Sequence, residues 1–298
     1  MPNTTHLRIP SNKVDDIVRY IHAELDDSYP AGEINMFVRL LFETFLEWDQ
    51  VHFMLNRHST INQSDLLKFH WAIEDLKRNR PIQYICGHTE FCGLDIHVSE
   101  GVLIPRPETE EIVLTVANIA AQLEPDTDGL KVLDICTGSG CIALAMSHLL
   151  PSAQVYGLDI SPQALAIARE NAEQLQLNTH FLECDILHDS PALPCSKFDI
   201  IISNPPYILE TERTQMNANV LDYEPDIALF VPDNDPLIFY RAIGQYAASH
   251  LSSNGILAFE INEHLGNQTC RLLESMGFAC QLHQDFRNKD RSITATLN

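Results

Sequence analysis

The sequence predicts an α/β protein with a mostly parallel, Rossmann-like sheet, preceded by a small all-helical domain. Three observations predict it. Over roughly the first 80 positions apolar residues recur at helical spacing with no long strand among them. From Leu130 onward short apolar runs alternate with helical stretches. The first of those runs ends in a glycine-containing turn and the second in an aspartate, where open α/β sheets bind ligands.

The elements follow in order. Val14, Ile17, Val18, Ile21 and Leu25 lie on one helix, and Ile34, Phe37, Val38, Leu41, Phe42 and Phe45 on a second. Ser64 is placed to cap a third that carries Leu67, Trp71, Ile73 and Leu76. Such segments form a bundle over residues 1–80, which packs or docks a substrate. Arg80-Pro81 ends the helical pattern. Gln83 to Leu103 is β-prone and broken by Gly87, Gly93 and Gly101, so residues 81–104 read as a β-hairpin linker. The α/β domain then covers 105–298. Its strands are expected at Lys131–Ile135, Gln154–Leu158, Phe181–Cys184, Phe198–Ile202, Ile256–Ile261 and Ser292–Leu297. Ser161-Pro162 opens the helix after the second of these, with Ser as cap and Pro in the first turn.

Composition bounds the function. Of 298 residues 45% are hydrophobic, ordinary for a globular chain. The net charge of −22 repels phosphate backbones and argues against nucleic acid as the main partner. The 8 cysteines show no Cys-x-x-Cys pair and no companion histidine, so they read as free thiols in a reducing cytoplasm, and no structural metal is expected. Met1 to Pro10 lacks a basic stretch followed by an apolar run, and no run of 18 apolar residues occurs, so neither a secretory signal nor a membrane span is expected.

Three constellations carry chemistry. In Asp134-Ile135-Cys136-Thr137-Gly138-Ser139-Gly140 a strand turns into a helix, and Gly138 and Gly140 allow close approach of a ligand. Alone, such a turn can be only a turn. Asp159, roughly 20 residues on at the end of the next strand, can accept hydrogen bonds from both ribose hydroxyls of an adenosine. Asp185 ends the third strand, as an adenine neighbour or as a helix cap. A dinucleotide site competes, but Cys136 stands at the first glycine position of G-x-G-x-x-G. The third constellation is Ser203-Asn204-Pro205-Pro206-Tyr207, after the fourth strand. A rigid turn explains the prolines but not the Asn before them or the Tyr after them. An amide nitrogen is a poor nucleophile because its lone pair is delocalised. The Asn204 side-chain oxygen and the Pro205 carbonyl can accept its two N–H groups and aim it at a methyl donor. Tyr207 offers an aromatic face and a hydroxyl.

Asn-Pro-Pro-Tyr after the fourth strand, with Asp-x-x-Thr-Gly-Ser-Gly after the first, resembles N-directed methyltransferases, which act on glutamine amides or exocyclic base amines. Further blocks resemble the release factor glutamine methyltransferase family, HemK type: Arg80–Gly87, Gly101–Glu110, Tyr223-Glu224-Pro225 with Ala228-Leu229, and Asp290-Arg291. These blocks run from about residue 80 to the C-terminus, and jointly they are far more specific than any one alone.

The resemblance implies a class I S-adenosylmethionine-dependent methyltransferase with a seven-stranded sheet. It implies cofactor contacts from Cys136, Thr137, Gly138, Ser139, Gly140, Asp159, Asp185, Ile186 and Asn204. Asn204, Pro205, Pro206 and Tyr207 then hold a glutamine, with Asn204, Pro205 and Tyr207 as the catalytic set. The implied reaction is in-line transfer of the sulfonium methyl to N5 of the glutamine in the Gly-Gly-Gln loop of peptide chain release factors, leaving S-adenosylhomocysteine, with no metal. The alternatives are glutamine methylation of a ribosomal protein and adenine-N6 methylation of nucleic acid, the latter wanting a basic groove. Two departures stand out. The family usually has Gly where Cys136 stands, and its Cβ is expected to keep the backbone out of glycine-only conformations. Ile186 falls where relatives are often aromatic. Arg106, Glu108 and Glu110 are either a salt-bridged scaffold or part of a block closing over the substrate.

Overall fold

The computed structural model describes residues 11–122, 129–189, 193–285 and 287–298, and the chain divides into two units. In the helical unit, α1 (Val14–Leu25) turns Val14, Ile17, Ile21 and Leu25 inward and carries Asp15 and Asp16 in its first turn, where the helix dipole favours acids. Next, α2 (Ala31–Leu46) buries Ile34, Phe37, Val38, Leu41 and Phe42. A short helix α3 (Gln50–Leu55) is capped by Asp49, whose side chain accepts the His52 N–H.

The cap of α4 (Gln63–Leu76) is Asn62, not Ser64. Asn62 Oδ1 accepts the Asp65 N–H at 2.8 Å and the Ser64 hydroxyl at 2.7 Å. The buried stripe of α4 is Phe69, Ala72, Ile73 and Leu76. Leu67 and Trp71, four residues apart, form a second row and are 41% and 63% exposed. Helical spacing alone does not say which of two apolar rows faces the core. Pro81 precedes α5 (Ile82–Cys86), and Gly87 ends it at φ +81, so the helical region runs past Arg80.

The hairpin is therefore shorter than expected: β1 (His88–Phe91) and β2 (Leu94–His97). It belongs to the second unit. Asn171 anchors it, accepting the His97 N–H and donating to the carbonyls of His97 and Ser139. The rest of the second unit runs α6 (Pro107–Ala120), β3 (Lys131–Ile135), α7 (Cys141–Leu149), β4 (Gln154–Asp159), α8 (Pro162–Leu175), β5 (Thr179–Glu183) and β6 (Phe198–Ser203). After β7 (Ile208–Leu209) and a 3-10 turn, α9 (Ala218–Leu221) and the residues to Tyr223 join the helical unit, where the Tyr223 hydroxyl donates to the Arg78 carbonyl at 2.9 Å. The chain continues through α10 (Asp226–Leu229), β8 (Phe230–Val231), α11 (Ile238–His250), β9 (Leu251–Glu260), α12 (Gly266–Ser275), β10 (Phe278–Gln284) and β11 (Asp290–Leu297).

The main sheet has seven strands in the order β10-β11-β9-β6-β3-β4-β5. Strands β9, β6, β3, β4 and β5 run parallel, while β11 and β10 form an antiparallel edge. The mostly parallel sheet is as the alternation predicts; the edge strand β10 lies outside the predicted set. Its core joins Leu133, Leu158, Ile201, Tyr240, Phe259 and Ile293. From β3 the chain winds outward through β4 to β5, and β6 returns to the other side of β3. That reversal opens a crevice at the carboxyl ends of β3, β4 and β6. Among the described residues no helix is long and apolar enough to cross a membrane.

Candidate active site

Register brings the predicted motifs together. Ile135 pairs with both Leu158 and Ser203, so Cys136, Asp159 and Asn204 leave adjacent strands side by side. Beyond these ends lies a cavity of about 190 Å³. Cys136, Gly138, Asp159, Asp185, Ile186, Asn204 and Pro206 all line it, with Val102 and Leu103 before α6 and Ile227 and Ala228 from α10.

The turn after β3 is held from below. Thr137 donates its hydroxyl to Asp134 at 2.5 Å, and its N–H bonds the Leu158 carbonyl at 2.9 Å. Burial pushes the Asp134 carboxyl up to about 7. Cys136 sits at φ +64. The left-handed well is not one of the glycine-only conformations that its Cβ is expected to avoid. That well is open to L-residues at roughly 1–2 kcal/mol, and the turn's own bonds hold the residue there. Burial also drives its thiol well above the usual range. Gly138, at φ +55, has nothing within 4 Å of where a Cβ would stand, leaving that space to the cavity. Gly140 starts α7 at φ +82, close against Phe181 and Ala168.

Asp159 fixes the next wall. Its carboxylate accepts the Gly138 N–H at 2.8 Å and the Ser161 N–H at 2.9 Å, which leaves lone pairs facing the cavity. Burial raises its pKa. Asp185 accepts the Leu187 N–H at 2.9 Å and His188 Nδ1 at 2.7 Å, so it serves as a turn residue and a cavity wall at once.

Thr137, Ser139, Gly140, Pro205 and Tyr207 lie close to the lining residues in the chain but do not line this cavity. Tyr207 is turned inward: its hydroxyl donates to Glu260 Oε1 at 2.9 Å, and burial, then the Glu260 charge, pushes its pKa well up. The hydroxyl is therefore committed within the protein. Asn204 donates from Nδ2 to Thr109 Oγ1 at 3.2 Å.

Three residues were not singled out from sequence. Glu260 ends β9 and is 1% exposed, with its pKa raised by burial. Thr109 links it to Asn204. Glu224 accepts Arg106 at 2.5 Å and the Ile104 N–H at 3.2 Å, which makes Arg106 part of a salt-bridged scaffold. A carboxylate closing a strand carries no local signal of its partner, although the sequence does mark Tyr223-Glu224-Pro225 and Glu108-Thr109-Glu110 as blocks.

Comparison with known proteins follows this geometry. A family model described as a methyltransferase domain matches residues 126–277, and one described as a PrmC N-terminal domain matches 16–87. A solved methyltransferase from Pyrococcus furiosus shares the fold at TM-score 0.50 and 18% identity, over 69% of this chain and 90% of that one. Fold, strand-end cavity and matched domain define a class I methyltransferase, an enzyme class that uses an S-adenosylmethionine-type cofactor. A release factor glutamine methyltransferase of Flavobacterium psychrophilum is 42% identical over 88% of this chain and 91% of that protein. One from Bacteroides thetaiotaomicron is 41% identical over 94% and 98%. The chain belongs to the release factor glutamine methyltransferase family.

Proposed function

We propose that this chain methylates N5 of the glutamine in the Gly-Gly-Gln loop of a bacterial-type peptide chain release factor, as a cytoplasmic enzyme of translation termination. The observation that carries the reading is that Asn204 and Gly138 line one cavity, from neighbouring strand ends. The residues fit S-adenosylmethionine: Gly138 leaves Cβ space open, Asp159 offers acceptor lone pairs for ribose hydroxyls, and Ile186 and Leu187 supply apolar wall for a purine. When bound, the cofactor supplies an electrophilic methyl group.

The chain's own part is orientation. Asn204 Oδ1 and the Pro205 carbonyl accept the two N–H groups of the substrate carboxamide and fix its plane. Pro205 and Pro206 keep that carbonyl rigid before substrate arrives. Tyr207 contributes its ring, since its hydroxyl is held by Glu260. The helical unit docks the body of the release factor, and the acidic surface disfavours nucleic acid as substrate. Labelled-methyl transfer to release factor, ribosomal protein and DNA in parallel tests the reading. Incorporation into release factor, lost when its Gly-Gly-Gln glutamine is replaced, is the expected result. Label in DNA alone, or in ribosomal protein alone, overturns it.

A further inference from the structure

Behind Asn204 lies a chain of polar groups that the motif itself does not foretell. Glu260 closes β9 next to β6, one residue beyond the Ser203–Phe259 pair. Its Oε2 accepts the Thr109 hydroxyl at 2.6 Å and its Oε1 the Tyr207 hydroxyl at 2.9 Å. Thr109 Oγ1 in turn accepts from Asn204 Nδ2 at 3.2 Å. Thr109 and Glu260 are each 1% exposed, so water does not compete for these groups.

We infer that Glu260 and Thr109 are positioning residues that dictate which end of the Asn204 carboxamide faces the substrate. The inference rests on the glutamine-methylation reading above and deepens it. The two ends of a carboxamide have nearly the same shape, so packing alone hardly distinguishes them. Chemistry does. An ionised carboxylate can only accept, so Thr109 must donate its single hydroxyl proton to Glu260. What remains on Thr109 Oγ1 is acceptor capacity, and only the NH₂ end of Asn204 satisfies it. The Oδ1 end is thereby left for the cavity, where an acceptor is needed for an incoming N–H. A flipped Asn204 would set oxygen against oxygen at Thr109 and present donors to a donor. Glu260 thus reaches the substrate through two intermediaries without touching it. The same carboxylate fixes Tyr207, so one buried charge orients both ends of the Asn-Pro-Pro-Tyr turn.

The polarity holds while Glu260 is ionised. The groups facing it are Thr109 and Glu108 of α6, Tyr207 of the turn, Tyr240 of α11 and Arg291 of β11. Burial raises its pKa, and Thr109, Tyr207 and Arg291 act against that rise.

The test compares wild type, T109V, T109S and E260Q. The assay is steady-state methylation of full-length release factor, with S-adenosylhomocysteine affinity and thermal melting measured on each protein. T109V keeps the shape of Thr109 but can neither donate nor accept. The expected result is a kcat lower by about tenfold or more, the scale of one lost charge-assisted hydrogen bond, with S-adenosylhomocysteine affinity within about twofold of wild type. T109S restores kcat, because serine keeps the hydroxyl. Wild-type kcat falls at low pH as Glu260 takes a proton, and E260Q lacks that limb. A folded T109V with wild-type kcat on an active wild-type background overturns the relay alone. A wild type that binds S-adenosylhomocysteine but leaves release factor unmethylated overturns the substrate reading and the relay with it. Should E260Q fail to fold, the T109V and T109S pair decides by itself.

Discussion

Arg106 and Glu224, 118 residues apart, form an ion pair at 2.5 Å in which the carboxylate is almost fully buried and the guanidinium is about one-third exposed. The same carboxylate accepts the Ile104 N–H, so one acid clamps the segment entering α6 to the segment entering α10. Both segments line the cavity, through Val102 and Leu103 on one side and Pro225, Ile227 and Ala228 on the other.

Arg106→Ala leaves Glu224 buried with only a backbone partner. Removing one member of a buried charged hydrogen bond costs about 2 kcal/mol at a half-open site such as this. We expect that loss in urea unfolding, together with weaker S-adenosylhomocysteine binding. Arg106→Lys recovers only part of it, because an ammonium does not reproduce the guanidinium fork. An unchanged unfolding midpoint in Arg106→Ala would show that the clamp is incidental.

Asn204→Ala removes the acceptor side chain while keeping β6, both prolines and the cavity floor. S-adenosylhomocysteine affinity should stay within a few-fold of wild type. Turnover should fall by roughly a hundredfold or more, the scale of losing a group that orients the reacting nitrogen. Near-normal turnover in single-turnover methylation would remove Asn204 from the amide-holding role.

What was legible in the sequence was local. Gly138 and Asp159 are read together, a flexible turn after one strand and an acid at the end of the next, and both line the cavity. Asn204-Pro205-Pro206 is legible in the same local way, since prolines stop a strand. The Arg106–Glu224 clamp and the Glu260–Thr109 pair were not legible. Each joins residues more than 100 positions apart, and nothing in either segment names the other. Trp71 shows the same limit in the helical unit: it fits the helical period as well as Phe69 does, yet Phe69 is buried and Trp71 is exposed. Cys136 adds a different lesson. Its left-handed backbone is held by the N–H groups of the next two residues, Thr137 bonding the Leu158 carbonyl and Gly138 the Asp159 carboxylate, which outweigh the preference of a single residue.

Gly138 yields a third prediction. Alanine there would be held at φ +55, at a strain cost of about 1 kcal/mol, with its methyl standing in space now left to the cavity. Gly138→Ala should therefore bind S-adenosylhomocysteine about tenfold or more weakly, while its melting temperature drops by only a few degrees. Calorimetric titration checks this, and an unaltered dissociation constant would mean that the bound nucleoside does not approach Gly138.

The fourth concerns Asp134, which is fully buried beneath the turn and has its pKa pushed by burial up to about 7. Oδ2 accepts from Thr137 and from the Ala143 N–H, while Oδ1 is buried without a hydrogen-bond partner. In the unfolded chain this carboxyl titrates near 4, the ordinary value for an aspartate. Between about pH 4 and 7 the folded protein holds a proton that the unfolded chain has released, so raising the pH favours unfolding. The contribution is intact below about pH 4 and is lost progressively toward pH 7, at up to about 1.4 kcal/mol per pH unit. Asp159 and Glu260, whose pKa values are also raised, act in the same direction. They remain in an Asp134→Asn variant, so comparing that variant with wild type isolates Asp134. Asparagine keeps an oxygen for the Thr137 and Ala143 bonds and carries no charge at any pH. Urea unfolding at pH 5, 6 and 7 should show wild type losing stability more steeply than Asp134→Asn, with the gap shifting in favour of the variant as pH rises. Parallel curves for the two proteins would mean that Asp134 is already ionised in the fold and that its charge is tolerated.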